Sequence, residues 1–140
     1  MNNFDVVETT IDAVHKAYET GQLTPRELVQ AYLDRIEAYD QQGPSLNCII
    51  TVNPAALEEA DRLGSAPQTG PLHGIPVIFK DQGDAKGMPT TLGSVLFKDY
   101  FPDRDAFVVE QLKKVGAIIL AKATLGELGG GDTHGSLFGS

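Results

Sequence analysis

Gly70-Pro71-Leu72-His73-Gly74-Ile75-Pro76-Val77-Ile78-Phe79-Lys80-Asp81 is the stretch whose reading decides the rest of the chain. Pro71 and Pro76 fix φ, while Gly70 and Gly74 permit turns closed to other residues. Val77, Ile78 and Phe79 form an apolar run that predicts a buried strand, with Lys80 at its end. Alternation puts Lys80 on the face of Ile78, opposite Val77 and Phe79. An unpaired buried ammonium is costly. Two resolutions exist: Lys80 gives up its proton and works as a base, or it snorkels its charge to water from a strand end.

Outward from this stretch the chain alternates helices and short strands. Apolar positions Val7, Ile11, Val14 and Ala17 or Tyr18 predict a first helix from about Val6 to Tyr18, closed by Gly21. Thr24, Pro25 and Glu27 spell the start of a second helix with a capping box. Its stripe of Leu28, Tyr32, Ile36 and Tyr39 ends at Gly43-Pro44, and loop length makes the two helices an antiparallel pair. Asn47 to Val52 reads as a strand. Asn53 and Pro54 open a third helix, with Gly64 just past its end. Gln82 to Gly93 reads as loop. Asp103 or Asp105 is the expected cap of a fourth helix facing inward with Phe107, Val108, Leu112 and Val115, stopped by Gly116. Ala117 to Ala121 is an apolar third strand. The pattern predicts an α/β fold, a sheet covered by helices on both faces. Its expected organisation is a helical pair over about 6–43 and an α/β part over about 46–140, the chain ending inside the domain.

The chain has 140 residues, 41% of them hydrophobic, and a formal charge of −8. That is enough for one packed core and argues against disorder. The acidic balance disfavours nucleic acid and anionic membrane surfaces. One cysteine, Cys48, permits no internal disulfide, which suits a reducing cytoplasm or simple indifference to redox state. The N-terminus has no signal-peptide pattern, and no apolar run reaches the length of a membrane span.

The Gly70–Asp81 stretch closely resembles the amidase signature family, which carries a G-P-L-x-G-[IV]-P-x-x-x-K-D segment. Thr24-Pro25-Arg26-Glu27-Leu28-Val29, Leu46-Asn47, Pro89-Thr90-Thr91-Leu92-Gly93-Ser94 and Ala121-Lys122-Ala123-Thr124-Leu125 extend the resemblance across almost the whole chain. It implies the amidase signature fold with a mixed sheet, and hydrolysis of amide bonds through a Ser–cis-Ser–Lys triad with Lys80 as base. Both serines would lie downstream of this chain, so these 140 residues alone are expected to be inactive. The resemblance further implies Asp81, Thr90, Thr91, Gly93 and Ser94 as supporting residues near the site, no cofactor and no metal. Expected partners are a small amide substrate and the remainder of the amidase polypeptide, with a homodimer left open. Two alternatives share the resemblance: the amidase subunit of a tRNA-dependent amidotransferase, and a non-catalytic piece that pairs with the remainder. Gly129-Gly130-Gly131 departs from the family, which shows a Glu-Phe-Ala-like turn there.

Other candidates carry less. Ser94 is close to Lys80 in sequence, with nothing else marking it as a nucleophile. Glu8 and Glu127 read as solvated. His15 reads as lying on a solvated helix face and His73 in the turn before the strand. Asp132-Thr133-His134 lacks a further His or Cys to complete a metal site. The Gly126–Gly135 region lacks the Gly-Lys-Ser/Thr ending of a phosphate loop.

Overall fold

The computed structural model describes residues 4–130 and 134–139. Seven regular elements follow one another: α1 (Ile11–Glu19), α2 (Pro25–Arg35), β1 (Ile49–Val52), α3 (Ala56–Gly64), β2 (Pro76–Lys80), α4 (Phe107–Lys114) and β3 (Ile118–Ala123). The strands form one mixed sheet in the order β1-β3-β2, with β3 antiparallel to β1 and parallel to β2. β3 is central, and Ile118 through Lys122 are all buried. On one side of it, Ile118, Leu120 and Ala121 pack with Val29 of α2 and Ala56, Ala60 and Leu63 of α3. On the other, Ile119 packs with Val109 of α4, Ala85 and Met88. This is the mixed α/β class read from the sequence, with helices on both sides of the central strand.

The capping box of α2 forms as spelled: Glu27 N donates to Thr24 Oγ1 at 3.2 Å, and Thr24 N donates to Glu27 Oε2 at 2.8 Å. Past Arg35 the helix widens into a π-helical stretch, Ile36–Gln41, which leaves Tyr39 exposed. α1 begins at Ile11, well after the expected Val6. Asp5 Oδ1 accepts the Val7 amide, Glu8 takes a φ of 53°, and the cap is Thr10, which accepts from Ala13 N. Val7 and Ile11, expected inside, are exposed. α2 shares a core with α1 through Val14, Ala17, Leu23 and Leu28, but it also lies along α3, where Arg26 pairs with Asp61.

α4 is out of phase with its expected inward face. Neither Asp103 nor Asp105 caps it. Asp105 instead accepts the Lys86 amide at 2.7 Å and pairs with Lys113 at 2.9 Å. Phe107 and Val108 therefore face solvent, and Val109 is the buried residue of the turn. β1 starts two residues later than expected because Asn47 has a φ of 51°, its side-chain amide donating to Phe138 O. Asn53 makes a turn into α3, accepting from Ala55 N, without capping the helix, and Gly64 is the last residue of that helix. β2 is not buried on both faces: Ile78 is 48% exposed and Lys80 is exposed, so β2 is a sheet edge open on one side.

Candidate functional site

The site begins with a bulge. Val77 pairs with Ile119 and Ile78 with Ala121, so two residues of β3, Leu120 and Ala121, stand opposite one step of β2. A bulge of this kind resets which face the following side chains occupy. Leu120 and Ala121 both join the core beneath α2 and α3. Lys122, in register with Phe79, is turned to the opposite side, where Asp81 projects.

Asp81 continues the ladder past β2, its amide donating to Ala123 O at 3.0 Å. Its carboxylate and the Lys122 ammonium are both fully buried and 2.9 Å apart. Asp81 Oδ1 faces this charge and has no other partner among the described residues. Lys122 Nζ also donates to Pro89 O at 2.7 Å and Thr90 Oγ1 at 2.9 Å. Asp81 Oδ2 accepts the Thr91 amide at 3.1 Å and the Thr91 hydroxyl at 2.5 Å. Thr91 Oγ1 in turn accepts Gly93 N at 3.2 Å. Burial pulls Lys122 below the usual lysine value, against the opposing hydrogen bond and charge of Asp81 and the charge of Asp84. Breaking such a pair costs about 3–5 kcal/mol, since one buried charge is left uncompensated.

The structure thus brings together four of the six residues expected at the site: Asp81, Thr90, Thr91 and Gly93. Gly93 has a φ of 67°, and a Cβ there would crowd Leu125 O at 3.0 Å. Ser94 is fully buried and serves a different set of bonds. Its Oγ accepts from Leu96 N, and its hydroxyl donates to the Glu127 carboxylate. Lys80 follows Phe79 but lies on the other face, exposed; its carbonyl accepts Gly83 N, while its ammonium has no hydrogen bond or ion pair to any described residue.

Lys122 is the residue that sequence reasoning missed. The signal was present: Ile118-Ile119-Leu120-Ala121-Lys122-Ala123 holds a lysine within an apolar strand, and a buried lysine demands a carboxylate. Glu127, read as solvated, is bonded to Ser136 through both its amide and its hydroxyl, which together with Ser94 lowers its carboxyl value. His73 is buried, and its role is structural. Nδ1 accepts from Thr69 N at 3.2 Å, so the proton sits on Nε2 and is donated to Leu63 O at 3.1 Å. His15 is part-buried, with Nε2 3.0 Å from His73 O. Asp132 and Thr133 lie outside the described residues, among which no group of three His, Cys, Asp or Glu could hold a metal ion. Among the described residues, no helix is long and apolar enough to cross a membrane.

A mixed α/β scaffold that buries a lysine–aspartate pair behind a strand-end lysine narrows the class, and comparison with known proteins supplies the family. Residues 27–140 match the Amidase family, and the chain belongs to it. It is 40% identical over 130 residues to a putative amidase of Schizosaccharomyces pombe, covering 89% of this chain and 22% of that protein. It is 38% identical over 137 residues to a glutamyl-tRNA(Gln) amidotransferase subunit of Lawsonia intracellularis, covering 95% of this chain and 28% of that protein. Among solved structures, an amidase family protein from Bacillus anthracis superposes with a TM-score of 0.89 at 37% identity, covering 96% of this chain and 28% of that one. The native peptide amidase of Stenotrophomonas maltophilia gives 0.83 at 39% identity, covering 86% and 26%. The chain thus spans about a quarter of the length of the relatives it matches.

Proposed function

We propose that this chain supplies the lysine base of an amide hydrolase that works through a Ser–cis-Ser–Lys triad. In this reading Lys80 takes the proton from the serine relay as the nucleophilic serine attacks the amide carbonyl; the C–N bond then breaks as that proton passes to the departing amine, and water hydrolyses the acyl-enzyme to release the carboxylic acid. Both serines belong to sequence outside these residues, and the chain forms the N-terminal part of a larger α/β domain. A hydroxyl is a poor nucleophile until a base takes its proton, and a lysine serves only while it can be neutral. The observation that carries the reading is the commitment of the neighbouring carboxylate: Asp81 is held by Lys122 and Thr91 on the far face of β2, and Lys80 has no carboxylate partner among the described residues. Covering of the open Ile78–Lys80 face by the remainder of the domain would remove water from the amine and favour its neutral form. The reading requires no cofactor and assigns the enzyme to the cytoplasm, acting on a small amide.

The test is steady-state kinetics on the full polypeptide that carries this chain. Lys80→Ala should lower kcat by about 10²–10⁴-fold with an unchanged circular dichroism spectrum. Lys80→Arg should be nearly as damaging, since a guanidinium does not deprotonate near neutral pH. Near-wild-type turnover by Lys80→Arg would end the base assignment. A second reading, a component of a tRNA-dependent amidotransferase, draws on the 38% identity to the Lawsonia intracellularis protein. Purification from the source cell with other subunits bound would favour it, and hydrolysis of simple amides by the isolated polypeptide would favour the first.

A further inference from the structure

Lys80 and Asp81 are consecutive, and a base beside a carboxylate faces a conflict. A free carboxylate near an amine holds the amine protonated, typically by about one to three pH units when within a few ångströms. The fold answers this with the bulge at Leu120–Ala121, which carries Lys122 to the Asp81 side of the sheet. There the Lys122 ammonium meets Asp81 Oδ1 at 2.9 Å, and the Thr91 amide and hydroxyl take Oδ2. Both partners are fully buried, so the pair is shielded from competing water and salt.

We propose that Lys122 is a positioning residue for Lys80: as the buried counter-ion of Asp81 it keeps that carboxylate from becoming the partner of the base. The inference rests on the reading of Lys80 as the base. The charged groups around this end of the sheet are Lys80 at the end of β2, Asp81 just past it, Lys122 on β3, and Asp84 in the following loop, which attracts Lys122. Lys86, further along the loop, is exposed and tied by its amide to Asp105. Removing the Lys122 charge leaves the Asp81 carboxylate uncompensated one residue from the base.

The experiment is the pH–rate profile of the full polypeptide with a simple amide substrate. In Lys122→Met the rising limb should move up by about one pH unit, with activity lost at neutral pH and regained in alkali. In the double variant Asp81→Asn with Lys122→Met the limb should return to its wild-type position, because the carboxylate has gone with its counter-ion. Lys122→Gln keeps a donor for Asp81 without the charge. It should show the same upward shift, and it decides the matter if Lys122→Met does not fold. A residue needed only for packing would lower stability and rate alike at every pH. An unmoved limb in folded Lys122→Gln, or a shift that the double variant fails to reverse, would overturn the inference. Failure of the base reading shows separately, as wild-type turnover by Lys80→Arg whatever the Lys122 variants do.

Discussion

Gly116 lies so close to His73 that a Cβ on the glycine would sit 2.6 Å from His73 Cα. The contact locks the turn after α4 against the turn before β2. Gly74 N donates to Gly116 O at 2.9 Å, and Ile118 N donates to Ile75 O at 2.9 Å where the parallel ladder begins. It therefore sets the alignment of the two strands that carry Lys80, Asp81 and Lys122.

Gly116 has a φ of 92°, so a side chain there meets both backbone strain and a rigid backbone neighbour. Gly116→Ala should cost on the order of 3 kcal/mol in urea unfolding. Gly21→Ala is the control. Its φ is 70° but nothing lies within 4 Å of the added Cβ, so strain alone acts, at about 1–2 kcal/mol. Equal losses at the two sites would refute the close-approach argument.

The second prediction concerns Cys48, whose thiol donates to Asp40 Oδ1 at 2.8 Å while its amide donates to the same oxygen at 2.6 Å. The hydrogen bond to Asp40, then burial, then the Asp40 charge push the thiol above its ordinary value of 9.0. Less thiolate is therefore present at a given pH than in a free cysteine, and alkylation by iodoacetamide should be slow at about pH 8 despite the exposed residue. Because the folded value is raised, the stabilisation from this bond is complete below pH 9.0 and fades as pH climbs through the folded value. Asp40→Asn should speed alkylation at that same pH and shift the rate curve to lower pH. A curve unmoved by that change would show that Asp40 does not govern the thiol.

The parts of the fold legible in the sequence are those written in local chemistry. The Thr24–Glu27 capping box fixes its own backbone and reads correctly without knowledge of the rest, and the Gly70–Asp81 stretch reads correctly as a strand, though not as one buried on both faces. The departures fall where a distant contact outweighs local pattern. Asp105 is a good cap by type, but Lys86 and Lys113 engage it, and α4 presents Val109 inward in place of Phe107 and Val108. Lys122 is hidden for a related reason. Strict alternation puts it on the same face as Ile118 and Leu120, and only the register shift against β2 turns it toward Asp81. Bulges are set by pairing between strands, which a single strand's composition does not display.

The last prediction is that the 140-residue chain by itself forms no acyl-enzyme. Ser94 and Ser136 are the serines nearest the candidate site in the sequence after Lys80, and both hydroxyls are committed to Glu127. Ser94 is also fully buried, its Oγ accepting from Leu96 N, so it cannot meet a carbonyl carbon without dismantling the turn that holds Val95–Phe97. A nucleophilic serine needs a base within about 2.6–3.2 Å, and an accessible face for the substrate. Glu127 is held below the usual carboxylate value by these same serine bonds, which makes it a weak proton acceptor at neutral pH. Incubation with a fluorophosphonate should therefore leave the chain's mass unchanged, and aryl amides should not turn over. Ser94→Ala should loosen the turn without touching any activity of the full polypeptide beyond its loss of stability. Stoichiometric labelling of Ser94, abolished by Lys80→Ala, would instead make this chain a complete hydrolase and overturn the assignment of the nucleophile to other sequence.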